Sequence, residues 1–146
     1  MTANAITVAR NVADSDHNGF GTGGGLYYQN LTLGFEVSTS PIGLNRLGDG
    51  TRNDCFADQS DPFDSLGHNL LSTRGPEDSC PGFDGQGDRV KGNPKIKRLA
   101  DNGGPTKTIA LRRRSAAINH AGSGAPPRDQ RGVKRRDPDI GAFERR

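Results

Sequence analysis

Asp14-Ser15-Asp16-His17-Asn18-Gly19 sets oxygen donors at alternate positions and a glycine at the sixth, the opening of a calcium-binding loop. The twelfth position is Gly25, where that loop needs a bidentate glutamate. The stretch is therefore expected to be a polar corner, with no metal ligand assigned. Asp58, Asp61, Asp64, Asp84 and Asp88 form a second group of acids. Carboxylate pairs hydrolyse glycosides when a rigid scaffold holds them about 5–9.5 Å apart. These five sit among turn formers, so solvated loop acids are the expectation. His17, His68 and His120 are isolated, with no Cys or second His at ligand spacing. No Gly-x-Ser-x-Gly motif and no phosphate-binding loop occurs. The sequence assigns no catalytic, cofactor-binding or metal-binding residue, and no cofactor is expected.

Cys55 and Cys80 are the two cysteines. One pair at this distance is compatible with a disulfide, but spacing alone does not require one. If joined, they would close a loop with 24 intervening residues, worth roughly 3 kcal/mol in the chain-entropy account. No CxxC spacing exists, so a thiolate zinc site is not expected. Asn30-Leu31-Thr32 is a glycosylation sequon, read as a strand corner.

Charge is divided along the chain. Residues 1–88 hold 4 Lys/Arg and 12 Asp/Glu; residues 89–146 hold 16 Lys/Arg and 5 Asp/Glu. Arg112-Arg113-Arg114, Lys134-Arg135-Arg136 and Arg145-Arg146 are basic groups able to meet phosphate. None of the 6 Phe and 2 Tyr lies within these groups to stack on bases. Acidic polysaccharide or solvent is thus the favoured partner over nucleic acid.

The elements that would carry these residues are short. Leu, Ile, Val and Phe number only 27 of 146 residues, against 21 Gly and 9 Pro. A net charge of +3 gives repulsion no large role. A fold with many tight turns and a narrow core meets that composition, and a β-solenoid is such a fold. Ile6-Thr7-Val8-Ala9, Leu26-Tyr27-Tyr28, Leu31-Thr32-Leu33, Phe35-Glu36-Val37 and Ile42/Leu44 predict strands separated by polar or glycine corners. Residues 46–92 carry turn signals almost throughout. The exception is Ser65–Leu71, which would set Leu66, Leu70 and Leu71 against the core. Pro94 to Leu99 and Thr106 to Leu111 predict strands about a turn at Asp101-Asn102-Gly103-Gly104-Pro105. They would be anchored by Ile96, Leu99, Ile109 and Leu111. Ile140 and Phe143 are expected to plug an open column end. No apolar run approaches the length of a membrane span.

Leu99 to Thr106, then Thr108, Ala110 and Leu111, Ser115 to Gly122, Asp129-Gln130-Arg131-Gly132 and Asp139-Ile140-Gly141-Ala142-Phe143-Glu144 form an ordered series. Upstream stand Asp54-Cys55, Ser65 to Leu70, Cys80 and Gly92-Asn93-Pro94. In this order the series resembles the C-terminal segment of the choice-of-anchor Q domain proteins, bacterial surface or secreted proteins. Gly23-Gly24-Gly25-Leu26 resembles a repeat of the related polymorphic outer-membrane proteins. The chain departs from the pattern at Arg112-Arg113-Arg114, at Asn119 and around Lys95-Ile96-Lys97-Arg98.

The resemblance implies an all-β fold: a right-handed parallel β-helix, or solenoid, fragment with long loops and a C-terminal cap. It implies a Cys55–Cys80 disulfide, export to the cell surface or medium, and a longer chain upstream that carries the leader Met1–Ala5 lacks. The expected organisation is terminal β-helix coils over 1–50, a turn-rich loop tied by Cys55–Cys80 over 51–92, and a final coil and cap over 93–146. The expected function is non-catalytic: adhesion or contact with extracellular polysaccharide or the cell envelope. The alternatives are the end of a β-helix polysaccharide lyase or hydrolase with its active site upstream, and a basic nucleic-acid-binding module.

Overall fold

Apolar pairs set between glycine and polar corners leave room only for strands of two to five residues. The computed structural model of the chain describes residues 1–29, 34–90 and 93–146. The chain is all-β. Thirteen strands and one 3-10 turn, Pro76–Asp78, are the regular elements among the described residues. No helix among them is long and apolar enough to cross a membrane. The sequon at Asn30, the Leu31-Thr32-Leu33 strand and Gly92 lie outside the described residues.

A first group of strands comprises β1 (Thr2–Asn4), β2 (Val8–Ala9), β3 (Val12–Ala13) and β4 (Leu26–Tyr28). A second comprises β5 (Glu36–Ser38), β6 (Pro41–Gly43), β7 (Arg46–Leu47) and β8 (Cys55–Ala57). Then come β9 (Asp64–Gly67), β10 (Leu70–Leu71) and β11 (Arg89–Val90). Every pairing among these eleven strands is parallel. β5 lies between β1 and β9, with Val37 opposite Ala3 and Ser65. Val8, Ile42, Leu71 and Val90 share one row across β2, β6, β10 and β11. β3 pairs with β7 and β4 with β8.

The corners repeat as well. Ala5, Thr39 and His68 each follow the end of β1, β5 or β9 with φ of 53°, 47° and 57°. Their N–H groups donate to Ser38, Gly67 and Gln86 carbonyls. A β-branched residue in this region is strained, and Thr39 is held there by its hydroxyl. That hydroxyl donates to Asn4 Oδ1 at 2.6 Å and accepts the Ala5 N–H at 3.1 Å. Gly24 and Gly25 explain the glycine run. A Cβ on Gly24 would meet the Arg46 and Asn53 carbonyl oxygens at 2.6 Å, and one on Gly25 would meet Asn45 Nδ2 at 2.5 Å.

Residues 51–92, expected as a loop, contribute four strands. The stretch is nevertheless tied as expected: Cys55 and Cys80 are joined, with Cα atoms 5.1 Å apart, and both are fully buried. Phe63 and Phe83 bury beside them and extend an aromatic row from Tyr28 and Phe35. Phe63 lies 5.6 Å from Phe35 and 5.2 Å from Phe83 by ring centroid. Turn chemistry hides this contribution, because the two rings stand 20 residues apart among glycine, proline and aspartate.

Side chains alternate along β10 and so enter two cores. Leu71 joins Val37, Ile42, Cys55, Ala57 and the aromatic row. Leu70 joins Ile96, Leu111, Ala117, Ala121 and Ile140 on the opposite side. Leu66, expected to bury with them, is 55% exposed.

Residues 93–111 form an antiparallel hairpin, where a final coil was expected. Its strands are β12 (Ile96–Ala100) and β13 (Thr108–Leu111), with Ile96 opposite Leu111. The predicted turn at 101–105 joins them, and Asn102 Nδ2 fastens it to the Thr108 carbonyl at 2.8 Å. Ile96 and Leu111 bury, while Leu99 is 60% exposed. The terminal segment docks along the side of the strand stack, crossing its corners. Gly141 N–H donates to the Thr39 carbonyl at 2.7 Å, and Ala142 N–H to Thr7 Oγ1 at 3.1 Å. Asn4 Nδ2 donates to the Gly124 carbonyl at 3.2 Å. Ile140 accordingly plugs no column end. It covers the apolar outer face that Leu70, Ala9 and Leu44 present. Gly141 is required there: its φ is 107°, and a Cβ would strike Pro41 at 2.8 Å.

Candidate functional site

The calcium-like stretch closes on itself. Asp14 accepts the Gly19 N–H at 3.2 Å, Asp16 accepts from Asn18 Nδ2 at 2.7 Å, and Asn18 Oδ1 accepts the Phe20 N–H at 2.8 Å. Its oxygens are spent on capping its own turn. No cluster of three or more His, Cys, Asp or Glu suited to a metal occurs among the described residues.

Three of the five acids are engaged in hydrogen bonds. Asp58 accepts the Ser60 hydroxyl and N–H, which hold its carboxyl below the usual range. Asp61 accepts the Tyr28 hydroxyl at 3.2 Å. Burial, then Asp61, pushes that hydroxyl's pKa up. Asp88 accepts the Asn69 N–H at 2.7 Å, the Gly85 N–H at 2.9 Å and the Ser65 hydroxyl. Asp64 and Asp84 are exposed. The histidines stay apart in role. His68 meets the His120 carbonyl through Nδ1 at 2.9 Å, which ties the terminal segment to a corner. His17 lies in the Asp14 turn, with its N–H on the Asp14 carbonyl.

Two buried polar networks are invisible in any motif. In the first, Asn45 Oδ1 accepts both the backbone N–H and the side-chain amide of Asn11 at 3.0 Å. Asn45 in turn bonds the fully buried Asp54. Asn11 and Asn45 stand 34 residues apart, the interval that relates Val8 to Ile42. That shared interval is the one sequence signal for this ladder. In the second, Asp129 holds Arg131 at 2.7 Å and accepts the Glu144 N–H at 2.9 Å. Arg131 lies 3.7 Å over the Phe143 ring. Arg135, 6% exposed, donates to the Asp139 and Gly141 carbonyls and to Glu144. Arg135 therefore leaves the group of basic residues able to meet a ligand, while Lys134 and Arg136 remain exposed.

What the surface does offer is an aromatic pair and free cations. Tyr27 and Phe56 face each other in register across β4 and β8. Their neighbours Leu26, Tyr28, Cys55 and Ala57 belong to the inner core, so alternation turns this pair outward. The rings stack at 5.6 Å with planes 9° apart, and Tyr27 is 53% exposed. The Tyr27 hydroxyl is fastened to Gln29 Oε1. Arg112, Arg113 and Arg114 are all exposed at the end of the hairpin. The stacked pair can hold a polar ligand with an apolar face, and no nucleophile–base pair stands beside it among the described residues.

No family model matches the chain, and neither do curated proteins or solved structures. Fold and site together define an all-β protein with a buried disulfide, and no finer class.

Proposed function

We propose that the chain is the terminal part of an exported right-handed parallel β-helix of the choice-of-anchor Q type, and that it contacts extracellular polysaccharide without catalysis. Parallel pairing among the strands β1 to β11, repeated corners and a row of packed aromatic rings support the β-helix reading. A buried disulfide is compatible with an oxidising compartment.

The exposed Tyr27–Phe56 stack carries the polysaccharide reading. A pyranose has an apolar C–H face that rests on an open aromatic ring, while its hydroxyls reach polar neighbours. Pairing the ring with a second one in register lowers its freedom before any ligand arrives. The test is a glycan array followed by calorimetric titration of the strongest hit. Wild type binds, Tyr27→Ala binds several-fold more weakly, and no reducing ends are released. Release of reducing ends would replace this reading with a catalytic one. Binding that ignores Tyr27→Ala would remove the stack from the site.

A further inference from the structure

Arg10, Lys95 and Arg112 come from three separate stretches of chain and line one cleft of about 340 Å³, together with Leu44, Asn93 and Ile96. Arg10 sits at the corner after β2, and Leu44 occupies the matching corner after β6. Lys95 immediately precedes β12, and Arg112 immediately follows β13. The cleft is therefore the seam between the parallel strand stack and the hairpin.

All three cations are exposed, and among the described residues no carboxylate lines the cleft. The ion pairs among the described residues engage Arg74, Arg131 and Arg135, leaving these three out. Two of them are also positioned. Arg112 N–H donates to the Lys95 carbonyl at 2.8 Å, and its Nε donates to the Ile96 carbonyl at 3.2 Å. Lys95 N–H is in turn held by Asn93 Oδ1 at 2.8 Å. Mutual repulsion of three cations without a built-in counter-charge is relieved by an anion, and low-dielectric walls concentrate their field.

We propose that this cleft binds the acidic sugar units of a polysaccharide, with the carboxylate or sulfate engaged by Arg10, Lys95 and Arg112. Leu44, half-buried at the cleft wall, offers an apolar contact for the sugar ring. Among the described residues no aromatic side chain lines the cleft, so they offer no stacking platform for a nucleobase. The proposal rests on the polysaccharide reading above and adds the charge of the ligand and a second point of contact. It also gives a task to two of the Lys and Arg beyond residue 88, Lys95 and Arg112.

The test titrates the protein with a galacturonate tetramer, a heparin-derived tetrasaccharide, a neutral galactose tetramer and a single-stranded DNA dodecamer. The two acidic glycans separate carboxylate from sulfate recognition. At least one of them binds, and binding weakens as salt is raised. Arg10→Ala, Lys95→Ala and Arg112→Ala each weaken it about tenfold. Arg136→Ala, which removes an exposed cation outside the cleft, leaves it unchanged. An equal loss in Arg136→Ala, or no loss in the three cleft variants, overturns the proposal. Binding of the neutral tetramer alone overturns it and leaves the polysaccharide reading standing. Binding of DNA alone, or of none of the four, overturns both.

Discussion

Asn45 donates to Asp54 twice, through its backbone N–H and its side-chain amide, both at 3.2 Å to Oδ1. The other carboxylate oxygen accepts the Ser72 N–H at 2.8 Å, the Ser72 hydroxyl at 2.7 Å and the Thr73 N–H at 2.8 Å. Asp54 is fully buried just before β8, and it joins Asn45, beyond the end of β6, to Ser72 and Thr73, beyond the end of β10. Asparagine in its place would set an amide NH₂ against those donors. Asp54→Asn is expected to cost about 3 kcal/mol, the order expected for stranding buried donors, measured by urea unfolding.

The same residue sets a pH dependence. Burial raises its pKa, against the lowering pull of Ser72, Thr73 and Asn45. The folded chain therefore holds a proton over a range where the unfolded chain has released it. Stability falls as pH rises from the ordinary carboxylate value, about 4, through the higher value of Asp54, and the contribution is flat beyond. Urea midpoints for Asp54→Asn should lack this slope.

Asp129 has the opposite sign. Burial raises its pKa, but the Glu144 N–H, the Arg131 side chain and the Val133 and Arg131 N–H groups outweigh that and hold it low. Its contribution is present above about pH 4 and is lost as pH falls through its depressed value. The terminal segment is expected to loosen first in acid. Hydrogen-exchange protection at Arg131, Val133 and Glu144, corrected for intrinsic rates, should drop there while protection at Leu71 persists.

The Cys55–Cys80 bond spans 25 residues. Replacing both cysteines by alanine should cost about 3 kcal/mol and lower the melting temperature by roughly 10 °C. Reduction in the unfolded state followed by refolding should give the same shift. A melting temperature indifferent to both treatments contradicts a stabilising role for the bond.

Leu70 and Leu71 are both fully buried but support different cores. Each alanine variant should lose about 2–5 kcal/mol. The local consequences differ. Leu70→Ala should release the terminal segment and speed trypsin cleavage after Arg135, which is 6% exposed in the folded chain. Leu71→Ala should lower the global urea midpoint without a matching preference for that site.

Local chemistry was legible in the residues themselves. Asn102-Gly103, with Gly103 at φ 79°, marks a turn wherever it stands, and the hairpin closes there. Short apolar runs between glycine and polar corners predict short strands, and the chain is all-β. The calcium-like loop declared its own failure, because its missing twelfth ligand is a matter of sequence alone. By contrast, nothing local separates Leu66, which is 55% exposed, from Leu70, which is fully buried. Nothing local separates the exposed Arg136 from Arg135, which is buried against Glu144.

The sequence by itself determined the turns, the lengths of the strands and the division of charge, since each depends on neighbours within a few positions. Only the tertiary structure decided which faces became interior. The inner fate of Asp54 depends on Asn45 and Ser72, and the outer face of Leu70 depends on Ile140, 70 residues further on. Burial is a property of what is brought alongside, and that is set when strands distant in the chain pair and the terminal segment folds back across them.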